Sequence, residues 1–491
     1  MNIRKVVLNQ KVLLSFFLIS LWMSVDTSFH NFKSFKLDFK NIFIYFRVAA
    51  PYIIFSVCLL LFLLDKNKNK EKLSINYFFC FSFLFYMSQI IGLIFTNNSI
   101  LNISFLINSV FLIVFIQISY LYKININKYF NLSILILFFV LVIYSYGMLK
   151  WFFLETVNLN LYGAWPHSLR NYEFLSSNLP RSSGLARNAM ILFIFFSFVF
   201  FIKNKNNLFM YSLVFIYLSF IILLTQSRII LIFYLGFSTV LIISGINSKL
   251  FNFKKKIFIL FIIFILPILF TFFSVKFKNI YVIYKCCSMD YYTYGELHDD
   301  TSNLIEENWE IAETSDILYL KKYNLRVVDS PGEAAGGEDI IRNDFINKNK
   351  KVWRPVDPRS FSSFRFEDWN KLIKQNKSIF YGYGAMGDRF LIGQTASNGF
   401  IYAYSSSGII GLILFTIIFI RSAYLSTKII FKSKFEIKKK NYKYLVSSSL
   451  IIFFLFRSIV ETSFANFGID FLLFFISMAY LEYHKKEILN E

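Results

Sequence analysis

The sequence predicts an all-α polytopic integral membrane protein of about 12 transmembrane helices, with a large extracytoplasmic loop domain between helices 9 and 10. Three observations predict it. Of 491 residues, 56 % are hydrophobic and only 17 % charged, which is too few charges for the surface of a water-soluble domain. The apolar residues gather in repeated uncharged runs of about 17 to 25 residues, each long enough to cross a hydrocarbon core of ~30 Å as a helix. The basic residues fall in alternate connections between these runs, as their retention on the cytoplasmic side requires.

Taken in order, spans are expected at residues 11–28, 42–64, 75–96, 100–122, 129–154 and 187–203, then at 208–225, 229–246, 257–275, 397–420, 445–461 and 468–483. The first is too long for a secretory leader and lacks a small-residue cleavage pattern after it, so it is expected to be retained. With the N-terminus inside, the inner segments include DKNKNKEK, KNKNN, KLFNFKKK and the stretch from Arg421 to Lys443. Together with the 121–128 loop and both tails they hold 25 Lys or Arg, whereas the short outer loops hold four, Lys33, Lys36, Lys40 and Arg228. Both termini are then cytoplasmic.

The chain so divides into a membrane part at 1–275 with an outer loop near 150–187, a loop domain at 276–396, and a second membrane part at 397–491. The loop domain holds 17 basic and 18 acidic residues, so the net charge of +22 belongs to the membrane parts and their inner loops. That basicity is topological and carries no nucleic-acid signal. A loop of this length with Trp309, Trp353 and Trp369 reads as a small folded lid or substrate domain. Within it, SSFRFEDWNKLIKQNK predicts a helix. Ser363 caps its start, Glu367 and Asp368 suit the positive end, Lys371 and Lys374 suit the other, and Phe366, Trp369 and Ile373 share a face. Such a helix is expected on the membrane surface or against the outer ends of the spans.

Cys58 and Cys80 fall in spans, and a bond between the adjacent Cys286 and Cys287 would be strained. No disulfide framework, metal-ligand spacing or cofactor motif is expected. The arginines are more informative. Arg47, Arg187, Arg228 and Arg457 all fall at outer ends of spans. An arginine at the centre of a span costs about 2.5–3.5 kcal/mol on insertion scales, and the positive-inside bias also opposes arginine on this face. A set placed against both tendencies points to an anionic partner. Because guanidinium grips phosphate with two parallel hydrogen bonds and keeps its proton, a lipid diphosphate is the natural candidate. The alternative is local pairing or snorkelling, with Arg457 and Glu461 four residues apart as the nearest case.

Other tracts add candidates. LPRSSGLARNAM brings Arg181 and a Ser-Ser-Gly turn to a helix N-terminus, which offers free N–H groups to an anion or is simply a capped start. In FYGYGAMGDRFLIGQTASNGFIYAYSSSGIIGLILF, Gly382 and Gly384 allow tight turns close to a ligand, and Gly408 and Gly411 allow close helix packing.

In their order these pieces resemble the O-antigen polymerase (Wzy) and O-antigen ligase superfamily of bacterial envelope glycosyltransferases, over roughly residues 180–475. The resemblance rests on RSSGLARNAM leading into a span, TQSRIIL, SFRFEDWNKLIKQNKSIFYGYG after the long loop, a polar pair Ser397–Asn398 followed by GFIYAYSSS and GIIG, and FRSIVETSF near the end. The ligases typically carry His at the first position of that pair. Ser397 stands there instead, which favours a polymerase, with ligase-type transfer as the alternative and a lipid-linked oligosaccharide flippase as a third class.

What the resemblance implies is a metal-independent transferase of the bacterial cytoplasmic membrane that uses an undecaprenyl diphosphate-linked oligosaccharide, with a chain-length regulator and a flippase as partners beside membrane lipid. Arg181, Arg187, Arg228, Arg365 and Arg457 would hold the diphosphate. Trp369, Gly382, Gly384, Ser397 and Asn398 would line the substrate. Glu461 would accept the proton of the attacking hydroxyl, with Glu173 and His167 as rivals.

Overall fold

In the computed structural model the described residues are 76–94, 100–121, parts of 134–149, 182–203, 208–225, 227–247, 261, 265–274, 365–376, 378–392, 395–433, 441–466 and 468–485. Expectations for Arg47, Arg181, Glu173, His167, the spans at 11–28 and 42–64, and the loop over 276–364 lie outside them. Helix makes up 88 % of the described residues and no strand occurs among them, so the all-α class holds. In chain order the helices are α1 (Tyr77–Ile94), α2 (Ile100–Leu121), α3 (Ser182–Lys203), α4 (Leu208–Thr225), α5 (Arg228–Asn247), α6 (Arg365–Lys374), α7 (Gly387–Ile392), α8 (Gly399–Lys432), α9 (Tyr442–Ser458) and α10 (Ile469–Tyr483). Among the described residues, α1 and α8 are long and apolar enough to cross a membrane.

The chain separates into two compact units. One comprises Met1–Phe138, Ser197–Lys203 and Trp353–Glu491, and the other Phe139–Phe196 and Asn204–Val352. The first unit therefore joins an early helix to the last ones. Its core is aromatic. Phe464, in the short 3-10 turn Ser463–Ala465 between α9 and α10, stacks on Phe474 at 3.8 Å and on Phe415 of α8 at 5.2 Å. Phe85 of α1 meets Phe415 at 5.7 Å, and Tyr86 meets Phe471 at 5.3 Å while its hydroxyl donates to the Phe464 carbonyl at 3.1 Å. Between lipid-bathed helices apolar burial supplies little drive, and such close ring packing together with hydrogen bonds supplies the association instead. The α9–α10 connection is thus drawn into the core, with Phe464 and Ala465 fully buried.

Helix α8 is two limbs. Phe400 lies 5.2 Å from Phe415 and 5.1 Å from Phe419 by ring centroid. At 1.5 Å per residue a straight helix would hold those rings roughly 22 and 28 Å apart. The chain reverses at Gly408, whose φ of 64° and ψ of −154° are open only to glycine. Limb 399–407 consequently runs back along the start of limb 409–432.

The reversal breaks the helical bond between the Ile409 N–H and the Ser405 carbonyl, and the preceding segment takes up both halves. Ile409 N donates to Ile379 O at 2.7 Å, and Ser405 O accepts from Tyr383 N at 2.7 Å; Ser406 O accepts from Gly384 N at 2.9 Å. Irregular backbone is tolerated among apolar helices only when its polar groups are satisfied in this way. The apolar run at 397–420, expected as one crossing, is therefore a reversal followed by a helix that continues to Lys432. Arg421, expected in an inner loop, lies within that helix and pairs with Glu482 of α10 at 2.8 Å.

In the second unit, Phe193 of α3 sits among Phe215 of α4 at 5.4 Å and Tyr234 of α5 at 5.0 Å, and the Tyr234 hydroxyl donates to Ser219 Oγ at 3.0 Å. Four residues separate α3 from α4 and two separate α4 from α5. Connections this short make successive helices antiparallel, so α3 and α5 are parallel.

Candidate functional site

Three helix ends meet in the first unit. The first is the start of α8, set by Asn398. Its side-chain oxygen accepts from Phe400 N at 2.8 Å and Ile401 N at 3.0 Å, the usual N-cap arrangement, while its Nδ2 donates to the Ile459 carbonyl at 2.7 Å, where α9 ends. One amide thus satisfies the orphan donors of one helix and an orphan acceptor of the next. Gly399 permits this approach, since a Cβ there would lie 3.0 Å from Ser458 O and 2.9 Å from the Phe415 ring.

The residue before the polar pair is held from both sides. The Ala396 N–H donates to Asp388 Oδ2 at 2.7 Å, and its carbonyl accepts from the Trp369 indole at 2.6 Å. Trp369 reaches it from α6 and Asp388 from α7. Asp388 is fully buried and also accepts from Arg389 N at 2.9 Å. Burial pushes its carboxyl above the ordinary 3.8, against the opposing pull of the Arg389 charge and the N–H donors. Held in this way, Ser397 adopts a left-handed backbone with φ of 51° and is buried. Strain of this kind in a non-glycine residue persists only where its surroundings impose it.

The second and third ends are the C-terminus of α9 and the N-terminus of α10, and Arg457 joins them. Its guanidinium bonds Glu461 through Nη2 and Asp470 through Nη1, and Ser463 Oγ donates to the same Asp470 oxygen at 2.9 Å. Ser463 too has a positive φ, of 39°. The Arg457 and Asp470 side chains are 4 % and 3 % exposed, but that of Glu461 is 27 % exposed. One cation faces two anions, so the cluster carries a formal charge of −1 when all three are ionised. A basic side chain near the C-terminal end of α9 and an acid at the N-terminus of α10 each complement their helix dipole.

The structure therefore brings together Trp369, Ser397, Asn398, Arg457 and Glu461. Arg365 begins α6, four residues before Trp369, and is half-buried. Gly382 and Gly384 lie at the α8 reversal, where they pack against α1 and the Ser405–Ser407 backbone. A Cβ on Gly92 of α1 would meet their main chain, and Gly384 has φ of 82°. In the second unit, Arg187 and Arg228 each precede the Phe193–Tyr234 contact by six residues on parallel helices, so they share one end of that unit. Arg228 is exposed, and Arg187 Nε donates to Asn188 Oδ1 at 3.3 Å.

Two residues of the first-unit site escaped the sequence reading, Asp388 and Asp470. For Asp470 a signal existed, because a lone acid opening an apolar run faces a lone arginine closing the run before it. Asp388 has no such signature, since its partner is a backbone N–H in a loop. Among the described residues no group of three His, Cys, Asp or Glu side chains is placed to share a metal ion. No family model, curated protein or solved structure matches the chain.

Proposed function

We propose that this chain is a repeat-unit polymerase of a bacterial surface polysaccharide, O-antigen or capsule, at the outer face of the cytoplasmic membrane. It would transfer a growing glycan from undecaprenyl diphosphate to a new lipid-linked repeat unit. The observation that supports it is the meeting of the polar pair Ser397–Asn398 with the Arg457–Glu461 motif at one junction of helix ends, although 58 residues separate Asn398 from Arg457. Broken helices whose ends converge are how membrane proteins build polar sites among apolar helices.

In the proposed step an acceptor hydroxyl oxygen attacks the anomeric carbon of the donor sugar. The bond from that carbon to the diphosphate oxygen breaks, and its electron pair leaves with the lipid diphosphate. In the first unit Arg365 bears the diphosphate charge, and Glu461 receives the hydroxyl proton. Glu461 is the more exposed of the two carboxylates on Arg457, and a phosphate that reaches this guanidinium would exchange with it. Substrate binding would then free the base at the moment it is needed. Asp470 keeps Arg457 in place meanwhile.

The test is the glycan profile after deleting the gene and restoring it. Loss of the long-chain ladder with retention of single repeat units supports polymerisation. Long chains that accumulate on the lipid carrier would assign ligase-type transfer, and the failure of any repeat to reach the outer face would assign a flippase.

A further inference from the structure

Helix α6 turns an apolar face outward. Leu372 is buried and Trp369 is tied to Ala396, yet Phe366 and Ile373, seven residues apart on one side of the helix, are 59 % and 45 % exposed. The segment that follows adds Ile379 and Phe380, at 64 % and 67 %. Four large apolar side chains so presented within fifteen residues mark a contact surface rather than scattered exposure. Lys371 and Lys374 are exposed on the last turn of the same helix.

The location of the patch says what covers it. Ile379 O accepts from Ile409 N, which sets the Ile379–Phe380 pair beside the start of the long limb of α8. That limb carries its own exposed stripe of Ile410, Ile413, Ile420 and Tyr424, the spacing of one helix face. A limb of this length and apolarity presents such a stripe to lipid. The Ile379–Phe380 pair thus adjoins that stripe, and on the exposed side of α6 Lys371 and Lys374 stand on the flank opposite Phe366 and Ile373.

We propose that α6 and the 378–380 segment form an interfacial membrane anchor, with Phe366, Ile373, Ile379 and Phe380 seated in the outer leaflet and Lys371 and Lys374 on anionic phospholipid headgroups. An apolar face flanked by basic side chains binds such an interface by burial and by charge together. The anchor holds Trp369, and through it Ala396 and the polar pair, at the depth of the headgroups. It rests on the membrane assignment and not on the transferase chemistry.

Spin labels test it on the full chain with its four cysteines replaced. Labels go at Phe366→Cys, Phe380→Cys and, as a reference on the span, Ile413→Cys, in nanodiscs of phosphatidylcholine with or without phosphatidylglycerol. The expected result is that labels at 366 and 380 collide more with oxygen than with a water-soluble nickel chelate, as 413 does. Phosphatidylglycerol should lower nickel access at 366 and 380 further, and that response should vanish in Lys371→Gln/Lys374→Gln. Nickel access at 366 and 380 with oxygen preference at 413 overturns the anchor and leaves the span intact. Exclusion of both reagents at 366 and 380 also overturns it and indicates a covering protein surface. Equal behaviour in both lipids overturns the anionic specificity. Nickel access at all three sites overturns the membrane assignment itself.

Discussion

Arg457 holds two carboxylates in different situations, and substitutions separate them. Removing the guanidinium leaves Asp470 charged and buried without its counter-ion, and breaking a buried pair in this way costs about 3–5 kcal/mol. Arg457→Met is expected to lower the unfolding temperature sharply in detergent, and adding Asp470→Asn to it should recover much of the loss, because the buried charge has gone. Glu461→Gln is expected to shift stability by no more than about 1 kcal/mol, since its side chain is 27 % exposed, while abolishing glycan polymer if it is the base. A variant that unfolds as readily as Arg457→Met would make Glu461 structural.

Asp388 carries a pH signature of the opposite sign to most acids. Its folded carboxyl is raised above 3.8 by burial, so the folded state binds the proton more tightly than the unfolded state. Stability from this group is present at low pH and is lost as pH rises from 3.8 through the raised folded value. The melting temperature of the wild type relative to Asp388→Asn should therefore rise as pH falls across that window. At this scale the Arg457–Glu461 pair was legible from its four-residue spacing. The partnership with Asp470, thirteen residues on and across a turn, depends on α9 and α10 folding back on one another.

For whole elements, direction is what hydropathy conceals. A window over 397–420 counts apolar residues and is blind to a reversal at one glycine, so the run read as a single crossing. The amphipathic α6 was legible, because periodicity carries its signal, and of the face shared by Phe366, Trp369 and Ile373 only Trp369 is turned inward, to the Ala396 carbonyl. Gly408→Ala tests the reversal. The φ/ψ of this position alone costs a non-glycine residue about 1–3 kcal/mol, and a Cβ would also come within 2.6 Å of the Ile379 carbonyl oxygen. Size-exclusion profiles of the solubilised variant should show loss of the folded peak. Asn398→Asp tests the bridge between α8 and α9. Aspartate caps a helix as well as asparagine does, but it has no donor for Ile459 O and sets a negative charge against the carbonyl end of α9. It should therefore destabilise the protein more than Asn398→Ser does, the reverse of the order expected for an isolated cap.

At the scale of the molecule, composition and the length of the apolar runs gave the class, whereas the grouping of α1 and α2 with α8, α9 and α10 in one unit depends on contacts that no linear pattern records. The distribution of Lys and Arg still makes a directional claim that the fold sharpens. Limb 409–432 of α8, then α9 and α10, run in alternating directions, so the junction at Asn398 and the α9–α10 turn lie toward one side and the ends at Lys432, Tyr442 and Tyr483 toward the other. The second side carries Lys428, Lys432, Lys443 and Lys485, and such charge is held in the cytoplasm. The junction would then face the outer side, as the proposed polymerisation of lipid-linked repeat units requires. In cells expressing a chain with its four cysteines replaced, Lys374→Cys should react with a membrane-impermeant maleimide without permeabilisation, and Lys485→Cys only after it. Were Lys485→Cys to react in intact cells and Lys374→Cys not, the orientation would be inverted. Arg457, Glu461 and Asp470 would then open toward the cytoplasm, where a glycan transfer on the outer leaflet could not use them.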